Sequence, residues 1–267
     1  MSLWRGAAAS VLCAGAGVFR SLSRALHWTA VGLCDRETFL RRNRSAWSGV
    51  PDYTEREVLD AGLSPAEEAR LAALRPGGRV AVVGCGGGRD LLALARKGFN
   101  VAGLDVSAEA VACANAELAR AGLPRAAHCG DAADFEFPDG PYDAFVFSWY
   151  AYGFIPGRDR RVRALGHCVR RLAEGGTLIL TVHAVPRHER SKAAALAGAV
   201  AALTLNRDRL EPGDAVADNF FFEHQFTREE VESEAREAGL ALVDWIREDI
   251  PGCDVAAVLR RAEGRRA

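Results

Sequence analysis

The sequence predicts an α/β fold: a doubly wound sheet of seven strands, parallel except for a C-terminal antiparallel hairpin, with an N-terminal helical segment. Three observations carry this expectation. From Arg79 onward, short apolar runs alternate with helical patterns, the signature of βαβ units. The first of these runs breaks into four glycines within five positions, 84 to 88, and a helical pattern follows at once. The last two apolar runs, 240–247 and 254–259, are separated by Pro251-Gly252, a turn signal between antiparallel strands.

The elements follow in order. Residues 79–83 are apolar almost throughout, as a strand covered on both faces should be. Residues 90–97 read as a helix stopped by Gly98, and 100–104 as a second strand. Ser107 can cap a helix running to Gly122. Residues 125–129 and 142–147 are the third and fourth strands, and a basic helix spans about 158–173. Gly175-Gly176 then turns the chain into 177–182, a β-branched fifth strand. After His183 the alternation breaks. Residues 191–205 read as an alanine-rich helix and 206–219 as a polar loop or lid, within an insertion at about 184–226. Thr227-Arg228-Glu229-Glu230 matches a capping box, with Phe226 and Val231 placed as its hydrophobic staple. Residues 1–75 form the helical segment or cap, and 76–267 the α/β domain.

Composition narrows the class. The chain of 267 residues is 49% hydrophobic and 26% charged, with a formal charge of -1 that gives no global attraction to nucleic acid. Its seven cysteines are scattered without a C-x-x-C pair, which argues against a disulfide framework and a cysteine-rich zinc site and suits a reducing, cytoplasmic setting. No His/Asp/Glu spacing suggests a metal centre. Residues 6–19 are small and apolar between Arg5 and Arg20, too short for a membrane span. They fit a secretory signal, a helix of residues 1–28 lying on a membrane surface, or a helix packed over the domain.

The glycine loop raises the question of a ligand, since a strand, a glycine loop and a helix bring phosphate or nucleoside groups to a helix N-terminus. The dinucleotide pattern G-x-G-x-x-G would need its third glycine at position 89, which is arginine, and no G-K-[ST] follows to make a P-loop. The spacing is G-x-G-x-G, at Gly84, Gly86 and Gly88. Asp105, at the tip of the second strand, can accept both hydroxyls of a ribose. Asp131 and the small Ala132, at the tip of the third, can read an adenine edge.

The segments VVGCGGGRD, GLDVS, GDA and YDAFVF, in this order and followed by the hairpin, resemble the class I S-adenosylmethionine-dependent methyltransferases, which have a Rossmann-like fold. The resemblance covers about residues 76–260 and implies S-adenosyl-L-methionine as cofactor. It places Gly84, Gly86 and Gly88 along the methionine and ribose, Asp105 on the ribose, Val106 beside the adenine, and Asp131 with Ala132 on the adenine edge; Cys85 and Ser148 join this set. Family members often carry an acidic residue two positions before the first glycine, where this chain has Val82; Asp90 either compensates or serves as first-turn helix charge.

Groups that act on the acceptor should stand at the ends of strands four and five. His183, His224 and Tyr150 are the catalytic candidates; His224 also suits fixing the start of the capped helix. Trp149 and Tyr152 suit a flat or apolar acceptor, or the core, and the strand end lacks the Asn/Asp-Pro-Pro-aromatic pattern of enzymes that modify DNA and protein amides. Trp47 and Tyr53 fall in a segment, 43–53, that resembles the cap preceding such domains. The expected function is methyl transfer to oxygen or nitrogen of a small molecule. The alternatives are a non-catalytic cofactor-binding domain acting through partners, and a methyltransferase of RNA or protein.

Overall fold

The computed structural model describes residues 2–47, 55–138, 140–185, 194–247 and 254–262. Helices α1 (Ser2–Leu33) and α2 (Arg36–Trp47) lead into the short α3 (Arg56–Ala61) and α4 (Pro65–Leu71). The alternating part runs β1 (Arg79–Val83), α5 (Arg89–Arg96), β2 (Asn100–Asp105), α6 (Ala108–Arg120), β3 (Ala127–Cys129), β4 (Tyr142–Phe147), α7 (Arg158–Arg171) and β5 (Leu172–His183). Helix α8 (Ala194–Leu203) precedes β6 (Asp214–Val216) and β7 (Phe222–His224), and the chain continues through α9 (Arg228–Glu237), β8 (Leu240–Arg247) and β9 (Asp254–Arg261).

The main sheet has the order β3-β2-β1-β4-β5-β9-β8. Strands β1 to β5 are parallel, and β9 runs antiparallel between β5 and β8. Strand order reverses between β1 and β4, so a crevice opens at their carboxyl ends, beside Gly84 and Ser148. Apolar clusters cover both faces of the sheet, one including Phe137, Phe145, Tyr152 and Val231, the other Val80, Val82, Leu91 and Leu118. The caps form where side-chain chemistry placed them. Ser107 accepts the Ala110 N–H at the start of α6, and Thr227 and Glu230 make both halves of a capping box on α9, beside buried Phe226 and Val231.

The structure corrects three sequence expectations. Gly175-Gly176 does not interrupt the fifth strand: β5 begins at Leu172, and the irregularity appears as a register shift opposite Tyr142 and Ala144. The third strand is only Ala127–Cys129. The polar 206–219 segment holds β6, which pairs antiparallel with β7 in a separate two-stranded sheet. That small sheet, the C-terminal end of α1, α2 and α8 share a third apolar cluster built on Val31, Phe39, Ala197, Val216 and Phe222. Here α1 and α8 touch closely: a Cβ on Gly32 would lie 2.5 Å from the Ala197 carbonyl oxygen. The Pro251-Gly252 turn lies outside the described residues.

Candidate active site

The glycine loop hangs from strand β2. The Gly84 and Cys85 N–H groups both donate to the Leu104 carbonyl, at 2.8 and 3.1 Å. Gly84 has a φ of 75°, and a Cβ there would lie 2.5 Å from the Ala151 Cβ. Its lack of a side chain therefore admits the turn after β4 as well as a ligand. Gly88, at φ 100°, starts α5, and a Cβ on it would lie 3.0 Å from the α6 backbone at Ala114. Both Asp105 oxygens accept backbone N–H groups, from Gly86 and Ser107, each at 2.9 Å. Burial raises the Asp105 carboxyl above the ordinary aspartate value, and these N–H donors hold the shift back.

The turn after β4 forms the opposite lip. Ser148 donates its N–H to Val83 at 2.9 Å and its hydroxyl to Asp90 at 2.5 Å. Trp149 and Tyr150 then both take left-handed backbone, φ 48° and 63°, a conformation that L side chains adopt at a cost and that gathers at functional sites. Asp90 is buried; burial raises its carboxyl, and Arg89, ion-paired to both Asp90 and Glu67, opposes the rise. The Arg89 guanidinium also lies 5.1 Å from the Trp149 ring centre.

Between these lips lies a cavity lined by Val83, Gly84, Gly86, Leu104, Asp105, Val106, Gly130, Asp131, Ala132 and Ser148. Its remaining wall comes from α2 (Leu40, Asn43, Arg44, Trp47) and from Trp149, Ala151, Phe154 and Ile155. Trp47 meets the rings of Phe154 and Phe221 at 5.2 and 5.3 Å. Asn43 pins α2 in place. Buried between elements, it exchanges two 2.8 Å hydrogen bonds with the Phe222 backbone, as a strand neighbour would. Asn43 and Arg44 fall in the 43–53 cap segment and Phe154 in the aromatic run after the fourth strand, whereas nothing in the sequence marks Leu40 and Ile155.

The other sequence candidates separate into groups. Cys85 has a buried side chain, and neither it nor Gly88 lines the cavity; both serve loop packing. Tyr152 is a core residue: it is fully buried, and its hydroxyl donates to Glu234 at 2.6 Å. Glu234 in turn pairs with Arg161, 1% exposed, which also binds Glu211, so one ionic cluster ties α7, α9 and the 211 segment together behind the cavity wall. His224 is also walled off from the cavity. Its Nδ1 lies 2.6 Å from Asp214, and its buried Nε2 has no hydrogen-bond partner among the described residues.

Glu211, Asp214 and His224 bring three possible metal-ligand atoms within 4.8 Å of one another, a cluster the sequence spacing did not show. The carboxylates are already engaged: Glu211 accepts from Arg158 N–H and Arg161, and Asp214 accepts the Glu211 N–H. The trio is a structural hydrogen-bond hub. His183, half-buried at the end of β5, pairs through Nδ1 with Glu223 and stacks on Tyr150 with ring centres 3.8 Å apart. Neither His183 nor Tyr150 lines the cavity, though Trp149, next in chain to Tyr150, does. Tyr53 lies outside the described residues. Asp131 accepts the Ala133 N–H at 2.9 Å and pairs with Arg160 at 2.8 Å, so it meets a ligand as a held, partly neutralised carboxylate.

The donor set fits S-adenosylmethionine. Bare backbone at positions 84, 86 and 130 admits close approach, Asp105 offers an oriented carboxylate to a diol, and Val106 and Ala132 offer apolar flanks to a flat ring. Comparison with known proteins points the same way. Residues 80–176 match the model of a methyltransferase domain. No curated protein sequence matches the chain. Among solved structures, an S-adenosylmethionine-dependent methyltransferase from Methanosarcina mazei is 20% identical with a TM-score of 0.57, covering 75% of this chain and 98% of its own. One from Clostridium acetobutylicum ATCC 824 is 14% identical with a TM-score of 0.56, covering 77% and 95%. CalS10, an amino pentose methyltransferase from Micromonospora echinaspora solved with the cofactor bound, is 19% identical with a TM-score of 0.51, covering 73% and 88%. Residues 80–176 thus match a methyltransferase domain, and the sheet has the fold of S-adenosylmethionine-dependent methyltransferases.

Proposed function

We propose that this methyltransferase alkylates an oxygen or nitrogen of a small, largely apolar acceptor. The observation that carries this reading is the wall of Leu40, Trp47, Trp149, Phe154 and Ile155 facing the cofactor residues across one cavity. Such a wall suits a flat or hydrocarbon-rich molecule and offers little to a phosphate backbone. The amino pentose substrate of CalS10 is another small-molecule acceptor, on the same fold. When bound, S-adenosylmethionine supplies a methyl group on a sulfonium that needs no further activation.

The chain's own work is positioning and proton removal. Asp105 and the glycine loop fix the nucleoside, and α2, held by Asn43, closes over the crevice and excludes water. His183, at the carboxyl end of β5 but outside the cavity lining, is the candidate base. Glu223 holds its Nδ1 and Tyr150 stacks on its ring, so the orientation of the imidazole is set before an acceptor arrives. The test is turnover with S-adenosylmethionine against a panel of phenols and amines, followed by mass spectrometry. His183→Gln should lower kcat roughly 10²–10⁴-fold while leaving S-adenosylhomocysteine affinity unchanged. Unchanged kcat would remove His183 from the mechanism. Methylation of RNA or protein with none of the small acceptors would overturn the acceptor class.

A further inference from the structure

Helix α1 has a long section that the fold does not cover. It is 32 residues long, about 48 Å at the α-helical rise. Only its C-terminal end joins the apolar cluster with α2 and α8, while every residue from Val18 to Arg24 is exposed. Val18, Phe19, Leu22 and Leu26 are 57–72% exposed. At helical spacing they fall in one sector about 100° wide, and Arg20 and Arg24 project from the opposite side. Neither arginine has an ion pair to a described residue, and both line a surface groove with Ser21, Trp28 and Leu196. The neighbouring α8 has no charged residue and exposes Leu196 at 41%, while Leu203 and Leu205, at its end, are more than 80% exposed.

Charge selects the occupant. The first 34 residues contain Arg5, Arg20 and Arg24 but none of the chain's 35 acidic residues, although the whole chain is close to neutral. A second copy packed α1 against α1 would bring the same acid-free segment and give these arginines nothing to pair with. An anionic lipid surface satisfies both halves of the helix: acyl chains take the Val18–Leu26 stripe, and the negative surface potential attracts the arginines within a Debye length. Among the described residues no helix is long and apolar enough to cross a membrane, so the helix would lie on the surface. We propose that the Val18–Leu26 stripe of α1 docks this enzyme on an anionic membrane. Because α1 runs directly into α2, docking would hold the cap of the active site next to the lipid surface.

Co-sedimentation of the full chain with two kinds of vesicle tests this. One is phosphatidylcholine alone, and the other contains about one third phosphatidylserine, an anionic composition chosen for its surface potential. Binding should favour the anionic vesicles roughly tenfold or more and weaken as salt rises. Phe19→Ser with Leu22→Ser should abolish it, and Arg20→Glu with Arg24→Glu should remove the preference for anionic lipid. S-adenosylhomocysteine affinity, measured alongside, should stay at the wild-type value and so show that the variants are folded. Equal binding to both vesicles, or binding to neither, overturns the proposal. So does a stable dimer in vesicle-free solution that Phe19→Ser dissolves.

Discussion

Asp105→Asn separates the ligand-binding role of this carboxylate from its structural one. Each Asp105 oxygen accepts a backbone N–H at 2.9 Å, from Gly86 and Ser107, and still has a second lone pair for a ribose hydroxyl. An amide keeps one oxygen and sets an NH2 against the other N–H donor. One hydroxyl then loses its acceptor, which removes a charge-assisted hydrogen bond of about 1.5–3 kcal/mol. The other hydroxyl drops from a charged acceptor to a neutral one, a further loss of about 1 kcal/mol. S-adenosylhomocysteine binding should therefore weaken by about 2.5–4 kcal/mol, or roughly 10²–10³-fold in Kd. The backbone N–H left facing an amide is common to free and bound protein, so its cost appears in thermal stability and not in affinity. Titration calorimetry reads the first quantity, and a circular dichroism melt reads the second. A folded variant with a Kd within about threefold of wild type would refute the ribose assignment.

Three further outcomes follow from the same geometry. Burial holds the Asp105 carboxyl above the ordinary aspartate value, and the cofactor needs its ionised form; S-adenosylhomocysteine affinity should therefore fall on acidification at a higher pH than an ordinary aspartate would give. For the ligand-free protein the sign reverses: this group's contribution to stability is present at low pH and lost as pH rises through its folded value; an affinity profile indistinguishable from that of Asp105→Asn would contradict the first statement, and an indistinguishable profile of stability against pH the second. Arg161→Met leaves the buried Glu234 without its cation and with only the Tyr152 hydroxyl as donor, so urea denaturation should show a loss of roughly 3–5 kcal/mol, and an unmoved midpoint would show the cluster to be dispensable. Gly84→Ala forces a Cβ to 2.5 Å from Ala151 at φ 75° and should destabilise by a few kcal/mol, roughly 2–5, while Gly198→Ala, with open space in helix α8, should be neutral or better by melting temperature.

The sheet was legible because its strands are apolar runs bounded by glycine and polar turns, and because Ser107 and Thr227 sit where only a helix start uses them. The small β6–β7 sheet was not, since three-residue strands carry no periodicity and their pairing depends on Asn43 from a distant helix. The basic run 158–163 reads as a solvated face by composition, yet helical rotation turns Arg161 into the core and Arg160 toward Asp131. The loop tips that line the cavity, among them Gly84, Asp105 and Asp131, were legible, as were Trp47 and Trp149; the contact of Trp47 with Phe154 and Phe221 was not, because these rings meet only after α2 folds over the crevice. Glu223 was invisible for the same reason: its partner, His183, is 40 residues away along the chain.

Val82, where the family pattern often has an acid, has a physical explanation in the strand. Its side chain is fully buried and packs in the apolar layer of α5 and α6, with Asp90 and Ile179 lining the same small recess. A carboxylate at position 82 would lose its water in a recess that already holds Glu67 and Asp90, whose like charges add to the penalty. Asp90 brings the charge in from the first turn of α5, already paired with Arg89 and near the positive end of the helix dipole. It does not reach the cavity itself, but it accepts the hydroxyl proton of Ser148, whose other atoms line the cavity wall. The Asp90 carboxyl group thus stands one hydrogen bond behind Ser148, a residue of the cavity wall. A valine on the strand and an aspartate on the helix thus meet in one recess, the strand position apolar and the helix position carrying the carboxyl group.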